Sequence, residues 1–195
     1  MIPQRFARLL ILAMREVLGE FSTQSLLESA GLPTQFPDDT LNRTYPFAQL
    51  SALNAALLTT YGEAGGRALA LEIGRGWFTG MASFGAFAAF TDPAFQRLPL
   101  STRMEVGLKV LAEIFTRHSD QVCAVETEAQ VCHFIVQQSP FVYDDAPDPA
   151  CHLIAGLLAG CMDAATGGRE YPLRERACRA GGAERCVFTI SKRAV

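Results

Sequence analysis

Apolar residues recur at helical spacing through the first 120 residues. Apolar residues spaced three and four positions apart predict one helix over residues 3–19, which ends at Gly19. The segment 35–45 contains Pro37, two aspartates and an asparagine, and predicts a loop. Glycines at 62–66 interrupt a second helical stretch. The remaining helices are predicted over residues 24–30, 46–61, 67–78 and 101–118.

Alternating apolar and polar positions replace the helical pattern in the second half. Residues 121–125 and 130–137 predict one hairpin. Residues 171–177 and 186–191 flank the Gly181-Gly182 pair, which predicts a second hairpin. A helix lies between the hairpins: Asp148 is expected as its N-cap and Pro149 as its first residue.

The second hairpin brings a carboxylate onto an apolar face. With the glycine pair as the turn, Glu175 lies opposite Phe188, Leu173 opposite Ile190 and Ala177 opposite Cys186. A buried glutamate costs several kcal/mol unless a cation, a metal or hydrogen-bond donors meet it. Cys178 has the wrong parity for this face, but a bulge at the end of its strand would turn its sulfur inward.

The overall composition excludes several classes of protein. The chain has 195 residues, 49% of them hydrophobic, which predicts one substantial core. A net charge of −3 with dispersed lysines and arginines does not match a nucleic-acid binder. The apolar run at 9–14 is too short to span a membrane, and no cleavage site follows it. We therefore expect a cytoplasmic protein.

The six cysteines favour metal ligands or buried thiols over disulfides in such a compartment. Cys151 falls in the first turn of the predicted helix, where the helix dipole favours a thiolate. Together with Glu175, Cys178 and Cys186 it forms a set of three sulfurs and one oxygen, which suits structural zinc. The alternative is three buried thiols and a glutamate paired with a neighbouring arginine (Arg174 or Arg176). The pattern alone leaves both interpretations open.

An aromatic tract interleaved with glycine and alanine follows the fourth predicted helix. Such a stripe is most often simply core, and this is the preferred interpretation of the pattern. Alternatively, large rings separated by small residues line an apolar cavity. The candidate cavity residues, on this tract, the helix over 101–118 and the first hairpin, are Trp77, Phe78, Met81, Phe84, Phe87, Met104, Leu108 and Phe134.

The C-terminal third resembles the four-vinyl-reductase domain family. The resemblance rests on the run at 151–160, on Gly168, on Glu175-x-x-Cys178 with Gly181, and on residues 186–190. Residues 66–78 resemble the family more loosely, and the first 45 residues match no family. We therefore divide the chain into an N-terminal helical extension, 1–45, and a four-vinyl-reductase-like domain, 46–195.

The resemblance implies an α+β fold with an antiparallel sheet packed against helices, of the NO-signalling and Golgi-transport type. The family is similar to the sensory domains of phenol- and xylene-responsive activators and to Golgi transport-complex subunits. In the sensory relatives three cysteines and a glutamate bind zinc, and those ligands fall here on Cys151, Glu175, Cys178 and Cys186. This agreement favours zinc over the alternative of buried thiols.

The expected function is a sensory or regulatory domain that binds a hydrocarbon or aromatic small molecule and carries a structural zinc ion. No catalytic residues are assigned, since the sequence has no nucleotide loop and no nucleophile–base pair. The alternatives are a reductase subunit acting on tetrapyrrole vinyl groups and an interaction subunit resembling transport-complex components. We expect a homodimer in which the helices over 3–30 make the contact, and no nucleic-acid partner. Alternatively, these helices only cap the core.

Overall fold

The computed structural model describes residues 1–35 and 37–195. Its α+β architecture, in which an antiparallel sheet packs against helices, confirms the expected fold class. The helices are α1 (Gln4–Leu18), α2 (Glu20–Ser29), α3 (Phe47–Met81), α4 (Pro93–Gln96), α5 (Leu100–His118) and α6 (His152–Thr166). The strands are β1 (Ile2–Pro3), β2 (Arg43–Tyr45), β3 (Cys123–Thr127), β4 (Val131–Val136), β5 (Leu173–Ala177) and β6 (Cys186–Ser191).

Helix α3 contains the break that the glycines at 62–66 predict, but confines it to one residue. Gly62 has φ 70° and ψ 167°, outside the helical region, and the helix continues on both sides. Glycine adopts this positive φ without steric cost, so a single residue is enough to redirect the helix axis.

The prediction of a loop over 35–45 is wrong at its end. Residues Arg43–Tyr45 form β2, which pairs with β1 in a two-stranded antiparallel sheet with Ile2 opposite Tyr45. Arg43 and Thr44 are both exposed, so the strand has no hydrophobic alternation from which it could be recognised. Phe36, also within the predicted loop, lies outside the described residues.

The main sheet has the strand order β3-β4-β6-β5, with every neighbouring pair antiparallel. Phe134 lies opposite Phe188 at its centre, and both side chains are buried. Two predicted pairs of the second hairpin, Leu173 with Ile190 and Glu175 with Phe188, are confirmed. The third is wrong: Ala177 pairs with Val187, because the register shifts between Glu175 and Ala177.

Helices α3 and α6 approach each other closely enough to require glycine on both. A Cβ atom at Gly156 would lie 2.1 Å from the carbonyl oxygen of Leu71, and one at Gly74 would lie 2.3 Å from that of Leu153. Both distances are far below van der Waals contact. The glycines therefore let the two backbones touch, which fixes the position of α6 against the rest of the core.

Residues before and after position 45 share one hydrophobic core. The ring centroids of Phe6 and Phe115 are 5.3 Å apart, and Trp77 Nε1 donates a hydrogen bond of 2.9 Å to the carbonyl oxygen of Phe6. The division of the chain at 45/46 stays a prediction. Within residues 1–35 and 37–195, no helix combines the length and the apolar character that crossing a bilayer requires.

Candidate metal centre and internal cavity

Three sulfurs and a carboxylate meet where α6 begins and the β5–β6 hairpin turns. The side chains are those of Cys151, Glu175, Cys178 and Cys186, and their ligand atoms all lie within 4.8 Å of one another. The Sγ atom of Cys151 is 3.6 Å from that of Cys186 and 4.0 Å from that of Cys178, and the latter two are also 4.0 Å apart. The three cysteines are buried and the glutamate is half-buried.

The register shift in β5 places Cys178 in this cluster. It falls between Glu175 and Ala177, so that beyond it the residues of β5 change faces. Cys178 is consequently only 3% exposed, whereas a regular ladder would have turned it away from Glu175. The expected inward turn of the Cys178 sulfur therefore occurs. The bulge that causes it lies between Glu175 and Ala177, before the end of β5 rather than at its end.

The predicted start of the last helix is wrong. Helix α6 begins at His152, and Cys151, not Asp148, occupies its N-cap position. The N–H group of Cys151 is thereby free of the helix and donates a hydrogen bond of 3.1 Å to Glu175 Oε2. The helix start thus holds both the thiol and its neighbouring carboxylate in place.

Two further contacts orient the sulfurs. Ser139 Oγ lies 3.0 Å from Cys151 Sγ, and the backbone N–H of Arg179 donates to Cys186 Sγ over 3.4 Å. Hydroxyl and amide groups beside the sulfur of a metal ligand are typical of the outer shell that orients such ligands.

Glu175 does not pair with an arginine, which was the alternative to a metal. Arg174 and Arg176 are exposed on the other face of the sheet, and no ion pair joins either to Glu175 among the described residues. One oxygen, Oε1, is buried without a hydrogen-bond partner in the described part of the chain. A buried carboxylate oxygen without a partner is costly, and a bound cation would remove that cost.

The cluster cannot carry four negative charges without a cation. Hydrogen bonds from Cys151 and Cys186 lower the pKa of Cys178. The pKa of Cys151 is raised, mainly by its hydrogen bonds to the other two sulfurs and further by burial. Burial is the main cause that raises the pKa of Glu175 to about 8, and the charge of Cys178 adds to this effect. The bond with Cys151 lowers the pKa of Cys186, but the bond with Cys178 and burial outweigh it and bring the value to about 12.

The spacing of the three sulfurs fits a tetrahedral zinc ion. Sulfurs at the usual Zn–S distance of ~2.3 Å stand about 3.8 Å apart in a tetrahedron. The observed separations of 3.6, 4.0 and 4.0 Å agree with this spacing and are far longer than the S–S bond of about 2.0 Å in a disulfide. Three thiolates and a carboxylate are also ligand types that Zn²⁺ prefers.

Two of the eight candidate ligand-binding residues line an internal cavity of about 10 Å³ between the sheet and the helices. These are Trp77 and Phe134, and the pattern missed the other lining residues. The missed residues are Phe115, Gln121, Cys123, Val136, Ile154 and Leu157.

The other six candidates do not line this cavity, because their side chains are engaged elsewhere. Phe78 and Phe87 stack edge to face with centroids 5.1 Å apart, which is the core packing that the pattern favours for this tract. Half-buried Phe84 lines a separate surface cavity of about 250 Å³ beside α5. The remaining candidates, Met81, Met104 and Leu108, are fully buried in the hydrophobic core.

The four-vinyl-reductase domain family matches residues 132–192, the segment that holds all four cluster residues. This part of the chain is a four-vinyl-reductase domain. The expectation from the sequence is thereby confirmed for the C-terminal third of the protein. No curated protein shows significant sequence similarity to the chain.

Several solved structures share the fold of the whole chain. An H-NOX protein from S. oneidensis in the Fe(II)NO ligation state is 13% identical, with a TM-score of 0.65 over 100% of this chain and 99% of that one. An H-NOX protein mutant from K. algicida is 16% identical, with a TM-score of 0.58 over 98% of this chain and 96% of that one. The chain with the four-vinyl-reductase domain therefore has the H-NOX fold, the NO-signalling type that was expected.

Heme, which the description of a further matching structure names for the H-NOX family, does not fit the residues present here. None of the three histidines of the chain, His118, His133 and His152, lines the internal cavity, so none is placed to bind a heme iron there.

Proposed function

We propose that this protein is a regulatory domain that binds a small apolar or aromatic molecule in its core and carries one structural zinc ion. The observation that carries the proposal is the cluster of Cys151, Glu175, Cys178 and Cys186, whose sulfurs are spaced as in a tetrahedral site. Two comparisons support the binding of a small molecule: the match to the four-vinyl-reductase domain, and the H-NOX fold, which is found in a protein whose description names a bound ligand.

The zinc ion would be structural. Four protein ligands complete a tetrahedral shell and leave no position for a substrate or a water, as catalysis at zinc requires. The same shell joins the start of α6, the end of β5 and the start of β6. Its effect is to fix the closing hairpin against the helix that packs on the sheet.

Metal analysis of Cys186→Ser tests the zinc site, with Cys132→Ser as the matched control. Cys132 is also fully buried but lies on β4 outside the cluster. We expect about one zinc ion per chain in the wild type and in the control, and loss of zinc with a lower melting temperature in Cys186→Ser. Equal zinc content in both variants, or none in the wild type, would rule out the assigned ligands.

The small-molecule part is tested on the purified protein by native mass spectrometry. We expect a bound apolar compound, or a higher melting temperature when an apolar compound is added, because a ligand that binds only the folded state stabilises it by mass action. An empty protein that no apolar compound stabilises would contradict this part and leave the zinc site unaffected.

A further inference from the structure

Positive charge is concentrated on the C-terminal hairpin. Residues 169–195 contain seven lysines and arginines and three glutamates, a net charge of +4, whereas residues 1–168 contain ten and 17 charges of the two signs and carry −7. Lys192 pairs with Glu105 over 2.7 Å. The other six cationic side chains are exposed and form what we call the arginine strip, two on β5, two near the turn and two at the opposite end of the hairpin: Arg174 and Arg176, Arg179 and Arg185, and Arg169 and Arg193.

The arginine strip has no carboxylate partners in the described part of the chain. Six arginines before residue 169 form ion pairs with aspartates or glutamates, but none in the strip does. Like charges gathered on one hairpin repel one another, and an acidic partner would replace this repulsion with attraction. The strip therefore has the charge of a surface that binds an anionic partner.

Strand β5, which carries Arg174 and Arg176, also has an open edge. It pairs only with β6. The N–H of Ser191 donates to the carbonyl oxygen of Pro172 over 2.9 Å, so in this antiparallel ladder the N–H and C=O groups of Leu173 and Glu175 point away from β6. No hydrogen bond from elsewhere in the described chain reaches these backbone groups. Such an edge is a template for a further strand.

A surface groove of about 340 Å³ lies along the beginning of this edge. Its lining includes Leu173 and Arg174 of β5 and Ala159 and Met162 of α6. Tyr171 also lines it and is only 8% exposed, and its hydroxyl is buried without a hydrogen-bond partner among the described residues. A buried hydroxyl without a partner is unusual, and a chain bound in the groove would supply the missing acceptor.

An extended peptide meets all three features, whereas other polyanions meet only the charge. Neither lipid headgroups nor a nucleic acid has a backbone of alternating N–H and C=O groups that could continue the sheet beyond β5. A nucleic acid would also be repelled by the charge of −7 on residues 1–168. Addition of a strand combined with recognition of acidic side chains by arginines is an established mode of peptide binding.

We propose that β5 is the docking edge for an extended acidic segment of a partner protein. The segment adds a fifth strand to the sheet through the backbone groups of Leu173 and Glu175, and its carboxylates lie against Arg174 and Arg176. The hydroxyl of Tyr171 donates to an acceptor of the bound segment. This interaction surface is separate from the internal cavity and assigns the protein a partner of defined chemistry.

The test measures binding of a fluorescein-labelled peptide of alternating glutamate and valine to the whole chain by fluorescence anisotropy. At an ionic strength of about 0.15 M, charges more than about 8 Å apart are largely screened, so only local pairs contribute. We expect Arg174→Glu to raise the Kd by about tenfold, because it replaces a charge-assisted hydrogen bond with repulsion. Arg97→Glu is the matched control, since it makes the same change of charge at an exposed arginine after α4 and should leave the Kd unchanged.

Two further comparisons test the groove and the strand pairing. Tyr171→Phe should raise the Kd by about fivefold without lowering the melting temperature, because its hydroxyl has no partner in the free protein. Peptides N-methylated at all glutamates or at all valines keep the charge but lose the N–H groups of one edge. We expect one of the two to lose binding, since only one set of N–H groups can face β5.

The proposal is overturned if the peptide does not bind, if Arg174→Glu and Arg97→Glu weaken binding equally, or if both N-methylated peptides bind as well as the parent. Vesicles containing phosphatidylserine and a single-stranded oligonucleotide are measured in parallel. If either binds through Arg174 while the peptide does not, the strip serves a membrane or a nucleic acid and the proposal is wrong. None of these results alters the proposed zinc site or the proposed small-molecule function.

Discussion

Burial and hydrogen bonds within the cluster raise the pKa values of three of the four candidate zinc ligands, Cys151, Cys186 and Glu175, and the hydrogen bonds lower that of Cys178. We therefore expect the first three to carry protons near pH 7 before an ion binds. Zinc requires thiolates and a carboxylate, so its binding must displace these protons. We expect release of about three protons per ion near pH 7 and an affinity that rises with pH.

Calorimetric zinc titrations in buffers of different ionisation enthalpy measure this release. The number of protons is the slope of the observed enthalpy against the buffer enthalpy. A slope near zero would mean that all four ligands are already ionised in the metal-free protein, in conflict with the burial of the cluster.

Ser139 tests the outer shell of the same site. Its hydroxyl lies 3.0 Å from Cys151 Sγ and also accepts a hydrogen bond of 3.3 Å from the N–H of Phe141. Ser139→Ala removes both contacts, and we expect zinc affinity to fall by roughly 10–100-fold, as is usual for outer-shell partners. Competition with a chromogenic chelator measures the affinity. Ser83→Ala, which changes an exposed hydroxyl far along the chain, should have no effect, and equal affinities in the two variants would contradict the role of Ser139.

The contact between α3 and α6 is the element-scale feature on which the site depends. Gly156 lies at this contact, where a Cβ would approach Leu71 O to 2.1 Å, whereas a Cβ at Gly85 would meet nothing within 4 Å. Gly156→Ala should therefore destabilise the protein by about 1–3 kcal/mol or more through overpacking. Gly85→Ala should be nearly neutral. Urea denaturation of both variants measures the difference, and equal midpoints would show that the helices separate without cost.

The C-terminal hairpin shows which parts of the site a sequence can predict. The alternation of Leu173, Glu175, Phe188 and Ile190 is local, so it predicts their register correctly. The bulge could be predicted only approximately, because its position depends on how Cys178 packs against α6. The start of α6 was missed for a similar reason: Asp148 is a good N-cap by residue type, but the carboxylate of Glu175, 24 residues away, accepts the N–H of Cys151 instead.

The internal cavity could not be predicted as a whole, because its wall comes from α3, α5, α6 and the sheet. The aromatic tract that suggested a cavity mostly packs on itself, as the stack of Phe78 on Phe87 shows.

The zinc site is expected to control one part of the molecule more than the rest. Its ligands join the start of α6 to both strands of the closing hairpin, and β5 is an edge strand that pairs only with β6. Helix α1 packs instead on α3, away from the cluster. Removing zinc should therefore weaken the hairpin before it affects the helical core.

Hydrogen exchange followed by mass spectrometry, with and without EDTA, tests this difference. Peptides covering 173–186 should exchange faster in the chelated protein, because β5 then depends on hydrogen bonds to a single neighbour. Peptides from α1 should keep their protection and serve as the internal control. Faster exchange throughout the chain would instead make zinc a requirement for the whole fold, and unchanged exchange at 173–186 would remove the ion from any role in holding the hairpin.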